Sequence, residues 1–236
     1  MVCCNDIKSF SNKHVMSWTS IKKYGNEKFL ITGKQDANNG VVFKGLLNGS
    51  GEYYTVRKPR SKFTTVSDCQ QNENSVTLIG NYSGKNGYHG FIYNGDLSEN
   101  SLENNSNYTK LDVGSVLTLP TGISGTQIVG NCNNHEKAGN DDFQLGPASA
   151  FIYDIVNGHY VMVDFPGFKS ISLSGIVQVD PDKYVITGSI SKSAVSLETV
   201  KNNIPFGTVF TASYNSLSRK ICNFNLIEIE RFNCHF

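Results

Sequence analysis

Five histidines, six cysteines and one compact basic run are the parts of this 236-residue chain best suited to chemistry. Histidine titrates near neutral pH and is the usual general acid or base, provided that it sits within hydrogen-bond reach of the reacting proton. Of His14, His89, His135, His159 and His235, His89 (just ahead of "GFIYNG") and His135 (in the insertion ahead of "ASAFIYDI") belong to the end that carries the longest connections, whereas His159 belongs to the opposite end and His235 to the terminus. They are the catalytic candidates. No flanking motif gives either one a nucleophile or a fixed tautomer, and GxSxG, HExxH, phosphate-loop and EF-hand patterns are absent, so whether the chain is an enzyme stays open. The basic run "RKPRSK" carries Arg57, Lys58, Arg60 and Lys62. Arginine's planar fork of donors suits a phosphate, carboxylate or sulfated ligand, although such a run is also what a solvated turn looks like.

The cysteines (Cys3, Cys4, Cys69, Cys132, Cys222 and Cys234) show no CxxC pair and no histidine at zinc-like spacing. A structural zinc is therefore not expected, and no cofactor is. Two readings remain: thiols in a reducing compartment, or a clasp between the ends, where Cys3 and Cys4 could meet Cys222 and Cys234. "VDPDK" (179–183) and "NDD" (140–142) are weak calcium patterns. Sequons at Asn48, Asn81, Asn104 and Asn107 occur in a chain rich in Asn, which makes chance matches common.

With 21 Lys and Arg against 20 Asp and Glu, there is no net field to draw in nucleic acid or an anionic membrane. Aromatics interleaved with basic residues are too few for a nucleic-acid track, so nucleic acid is not an expected partner. No apolar run approaches the roughly 18 residues of a spanning helix, and "MVCCNDIKSF" lacks the basic start and apolar core of a secretory leader. The expectation is a soluble chain without a membrane span, either cytoplasmic or exported by a route not visible in the sequence.

The elements that must position these groups are repeated. Four apolar segments end in glycine: "FLITG" (29–33), "TLIGN" (77–81), "QIVGN" (127–131) and "YVITG" (184–188), with the glycines 47, 50 and 58 residues apart. Each is followed by a segment with an aromatic at the same place (Phe43, Tyr93, Tyr153, Phe210), then by a third segment, and is preceded by a fourth. Period-2 alternation, β-branched and aromatic residues, and Asn, Ser and Gly between the segments read as short antiparallel strands. No convincing helical period appears. A four-stranded meander cannot bury both of its faces alone, so the units must stack. The expected fold is all-β: a small β-propeller with four blades of four antiparallel strands in one domain, the blades covering about 15–62, 63–115, 116–169 and 170–232. The alternative is a β-sandwich of stacked meanders.

"TGISGTQIVGN" followed by "ASAFIYDIVNGHYVMVDFPG" resembles the repeat of the HAF family of bacterial extracellular repeat proteins. The likeness is carried by Gly122, Ile123, Ile128, Val129, Gly130, Phe151, Tyr153, Asp164, Pro166 and Gly167, and in the second unit by Gly80, Gly90, Phe91, Tyr93 and Asp112. It implies propeller-like β repeats and a surface or exported setting, and it implies no particular reaction.

On this plan the innermost strands line a channel. Trp18, Ser20 and Lys22 come from the first blade, Asp68 and Gln70 from the second, Thr121 and Ser124 from the third, and Ser174 from the fourth. Their chemistry differs from blade to blade, as suits one asymmetric ligand, although such residues also serve simply to hydrogen-bond neighbouring blades. Arg57, Arg60 and Lys62 share the loop-rich end with two long insertions, 131–147 and 189–205, the second holding a short amphipathic stretch, "AVSLETVKN". A third insertion, 94–107, belongs to the opposite end, where its Asn and Ser suggest a flexible, solvated tip. The leading expectation is a recognition module for a small polar or anionic ligand, a glycan or a partner protein. The rival is a hydrolase, lyase or cyclase that uses His89 or His135.

Overall fold

The computed structural model describes residues 15–84, 87–115, 117–133, 135–137, 143–145, 148–192, 208–215 and 220–227. The protein is all-β, and the chain divides into two compact units, Met1–Leu111 and Asp112–Phe236. In the first unit, β1 (Ser17–Tyr24), β2 (Lys28–Lys34), β3 (Gly40–Leu46) and β4 (Gly51–Val56) form one antiparallel meander. A second is formed by β5 (Thr64–Asn72), β6 (Ser75–Gly84), β7 (Gly87–Gly95) and β8 (Tyr108–Leu111), with the helix α1 (Glu99–Glu103) between its last two strands.

The second unit repeats the arrangement. β9 (Leu117–Ser124) and β10 (Gln127–Asn133) are followed by a small hairpin, β11 (His135–Lys137) and β12 (Phe143–Leu145). The meander then resumes with β13 (Ser149–Asp154) and β14 (His159–Val163). Its companion is β15 (Ser170–Asp180), β16 (Lys183–Ser191), β17 (Thr208–Asn215) and β18 (Lys220–Ile227). The amphipathic stretch of the second insertion and the "NDD" pattern lie outside the described residues, as do Cys3, Cys4 and Cys234.

The four meanders share one register. Ile31 faces Phe43, Leu78 faces Tyr93, Ile128 faces Tyr153 and Ile186 faces Phe210, each two residues before the terminal glycine. They also share one irregularity. The first strand of each meander carries a β-bulge opposite that glycine, and the extra residue is a hydroxyl residue every time: Thr19, Ser67, Thr121 and Ser174. The bulge explains the glycine. A Cβ on Gly33, Gly80, Gly130 or Gly188 would run into the backbone carbonyl of Ser17, Thr65, Leu119 or Ser172, the residue just before its partner on the bulged strand.

Within each unit the first strand of one meander lies against the other meander. Leu30, Val42, Val56, Val66, Leu78 and Phe91 form the core of the first unit; Val129, Ile152, Leu173, Ile176 and Ile186 anchor that of the second. Two of the bulge hydroxyls, one in each unit, join the two sheets. Thr19 Oγ1 donates to the Val66 carbonyl at 2.8 Å, and Thr121 Oγ1 donates to the Leu173 carbonyl at 2.9 Å. Asn131, fully buried, adds a two-point clamp on Leu173 in the second unit: its Nδ2 donates to the Leu173 carbonyl at 2.8 Å and its Oδ1 accepts the Leu173 N–H at 2.6 Å.

The insertion 94–107 departs from the solvated tip expected of its composition. Ser98 caps α1 by accepting the Ser101 N–H, and Leu97 and Leu102, either side of that cap, are both buried. Tyr93 hydrogen-bonds to the Asp96 carbonyl and to Ser101 Oγ, and the Tyr108 hydroxyl donates to the Leu102 carbonyl at 2.9 Å. Two apolar residues flanking a capping serine form a hydrophobic staple, and here it pins the segment to the core of the first unit.

Candidate functional site

Ser20, Lys22 and Asp68, expected to face a channel, come together where β1 meets β5. Asp68 is 4% exposed. Its Oδ1 accepts the Ser20 hydroxyl and, at 2.9 Å, the Cys69 N–H, while Oδ2 pairs with Lys22 Nζ at 3.1 Å. The equivalent positions in the second unit explain the cluster. There Gly122 and Gly175 occupy the places of Ser20 and Asp68, and a Cβ on Gly122 would lie 2.9 Å from Gly175 Cα. Where the second unit brings bare backbones together, the first inserts a hydrogen-bonded ion pair, so these residues latch two sheets.

The other expected lining residues divide in the same way. Thr121 is committed to Leu173, and Ser124 Oγ accepts the Gln178 N–H at 2.9 Å. Ser174 is exposed on its bulge and Gln70 is half-buried on β5. Trp18 is half-buried on β1, its ring 6.5 Å from that of Tyr53.

The basic run does not form one patch. Lys58 turns inward, with Nζ 4.6 Å from the Tyr82 ring centre and 5.8 Å from that of Tyr108. Loss of solvent, and then the nearby Arg60 charge, pull its pKa down. Arg60 holds a left-handed turn position at φ 65°, and both it and Lys62 are exposed. His89 is half-buried on β7, 5.7 Å from the Tyr82 ring and packed over Gly84. The backbone of His135 lies in the β11/β12 hairpin. Among the described residues no group of three or more His, Cys, Asp or Glu is placed to hold a metal, and in "VDPDK" the Asp180 carboxylate pairs with Lys183 at 3.3 Å.

Cys69 and Cys132 are buried thiols. Burial pushes Cys132 up to about 11 and raises Cys69 as well, with the Asp68 charge adding to the latter. Both therefore stay protonated, and slow to react, near pH 8. Iodoacetamide is expected to leave them unmodified in the native protein and to label them in denaturant, as read by peptide mass spectrometry. Because the folded values lie above the unfolded thiol value of about 8.5, the stability these thiols contribute is intact below that pH and is lost as pH rises through the folded values.

One concave site in the first unit brings polar and aromatic groups together. A groove of about 480 Å³ runs between β4 and α1, walled by Tyr53, Tyr54, Thr55 and Arg57 on one side and by Leu97, Glu99, Leu102 and Glu103 on the other, with Asn39 at its rim. Tyr53 is 41% exposed, and Glu99, Glu103 and Arg57 are exposed. The Tyr54 hydroxyl donates to the Glu52 carboxylate, and its pKa rises to about 12 because ionisation would cost that bond. Asn39 Nδ2 donates to Asp36 at 2.9 Å, while its buried Oδ1 has no hydrogen-bond partner among the described residues. Of the residues singled out in the sequence, only Arg57 lies in this groove. Its acidic wall belongs to the segment read as a flexible tip, and the signal that could have found it is Leu97-Ser98 followed by Leu102.

The class these features define is an all-β protein built from four-stranded antiparallel meanders, paired within each of two units. A scan against models of known protein families finds no match, and neither does a search of curated proteins.

Proposed function

We propose that this protein is a recognition module whose polar ligand binds in the groove between β4 and α1. The observation that carries the reading is the make-up of that groove: an exposed tyrosine face, a guanidinium and two carboxylates in a concavity of about 480 Å³. Binding sites combine an apolar or aromatic wall with a few convergent polar groups in this way. The Ser20–Lys22–Asp68 cluster, by contrast, has its polar atoms engaged between sheets. In the same reading the four meanders are the blades of a small propeller and the chain is a distant relative of HAF-type repeats. The shared register and the recurring bulge opposite glycine support that view, since equivalent blades need equivalent inner strands.

The test is a binding screen of the full chain against a glycan array, a peptide library and a panel of small organic acids, repeated with Tyr53→Ala and Arg57→Ala. Aromatic and arginine contacts dominate binding sites, so genuine hits should weaken about tenfold or more in at least one variant. If no probe binds, or if every hit binds both variants as it binds the wild type, the groove is not the site.

A further inference from the structure

β4 is an edge strand: its meander runs β1-β2-β3-β4, so among the described residues one side of β4 has no strand beside it. Successive residues of a strand point to opposite faces, yet Tyr53, Tyr54 and Thr55 all line the groove. A groove lined by consecutive strand residues runs along the strand's open edge and not over one face of the sheet. Facing that edge are Leu97 and Leu102 as an apolar floor, and Glu99 and Glu103 one helical turn apart.

Resting on the groove being the binding site, we infer that its occupant is an extended peptide segment carrying basic side chains, added to β4 as a fifth strand. Three features lead there. The edge supplies main-chain donors and acceptors in a row, which an extended peptide matches and a sugar ring does not. The two carboxylates repeat at a helical i,i+4 spacing of about 6 Å, close to the roughly 6.6 Å between alternate residues of a strand, so they meet basic side chains at positions i and i+2 of the bound peptide. Among the described residues the charge of the α1 wall is wholly acidic, and the one basic lining residue, Arg57, lies just past the end of β4 and leaves the strand's length to a cationic partner. Edge strands that carry no proline or lysine are open to such pairing, and "GEYYTV" carries neither.

The probes are blocked peptides of about seven residues, long enough to span β4, alternating lysine with valine or glutamate with valine. Affinity is measured by fluorescence anisotropy on the full chain, on Glu99→Gln/Glu103→Gln, and on Tyr53→Ala. Both glutamates are exposed, so the double variant should fold as the wild type does, with circular dichroism as the check. The lysine peptide is expected to bind and the glutamate peptide to fail, and the double variant should weaken the lysine peptide about tenfold, with a shallower dependence on salt. N-methylation of alternate peptide amides separates strand addition from charge alone. One alternating set should lose binding about tenfold or more while the other keeps it, because only one edge of the peptide pairs with β4. Equal binding of the two peptides, indifference to the glutamate variant, or equal effects of the two methylation sets would each overturn the inference. A saccharide or small acid that binds and is lost in Tyr53→Ala, with no peptide binding, would overturn it while leaving the groove as the site. Loss of all binding would remove both.

Discussion

Replacing Gly80 with alanine is expected to destabilise the first unit by about 3 kcal/mol, the upper range for forcing an atom into a packed interior, and to lower Tm by roughly 10 °C. The reason lies in the neighbouring strand. The extra residue Ser67 bulges β5 and brings the Thr65 carbonyl to the place a Cβ on Gly80 would take, and Phe91 Cε1 closes the other side at 2.9 Å. A carbonyl in a bulged strand cannot swing away as the end of a flexible side chain would, so the new methyl must open the β5/β6 pairing. Gly130→Ala should act alike in the second unit, where the Leu119 carbonyl would lie 2.6 Å from the added atom. Gly49→Asn is the control. That glycine has φ +90° with nothing within 4 Å of a built Cβ, so only backbone strain of about 1 kcal/mol applies. Thermal unfolding of the three variants checks the account. A Gly80→Ala protein no less stable than Gly49→Asn would show that close approach is not why glycine recurs.

This glycine was also the most legible feature of the sequence. "FLITG", "TLIGN", "QIVGN" and "YVITG" became the second strands of four meanders, with Phe43, Tyr93, Tyr153 and Phe210 in matching register. Strand alternation and an unusual small residue can be read from the sequence because each answers a local steric demand. The groove was not legible, for two physical reasons. Glu99 and Glu103 sit in a segment whose Asn and Ser read as solvent-facing, and the staple that folds it rests on just two leucines. The concavity itself arises only when α1, from one meander, comes beside β4 of the other, about 45 residues earlier in the chain, a pairing that no local pattern encodes. The polar lining expected around Ser20, Lys22 and Asp68 was legible as a meeting of side chains. Its character as a latch depends on comparison with Gly122 and Gly175, which only the aligned registers permit.

That latch carries the second large effect. Lys22→Met is expected to cost about 2 kcal/mol: removing one partner of a fully buried pair costs about 3–5 kcal/mol, and some of that is spared here because solvent reaches the ammonium. The Lys22 side chain is 33% exposed and that of Asp68 only 6%, so the methionine variant leaves the carboxylate buried with the Ser20 hydroxyl and the Cys69 N–H as its remaining named donors. Asp68→Asn should cost less, about 1 kcal/mol, since the amide can still accept from those donors while Lys22 turns to solvent. The double variant, Lys22→Met/Asp68→Asn, should be more stable than the sum of the two single losses predicts, by about 1 kcal/mol, because the methionine then no longer strands a charge. Urea unfolding of the four proteins measures that coupling. Strictly additive losses would mean that the ion pair does not join the sheets. A Lys22→Met protein of unchanged stability that had lost its ligand would instead return these residues to the binding site and shift the search away from the edge of β4.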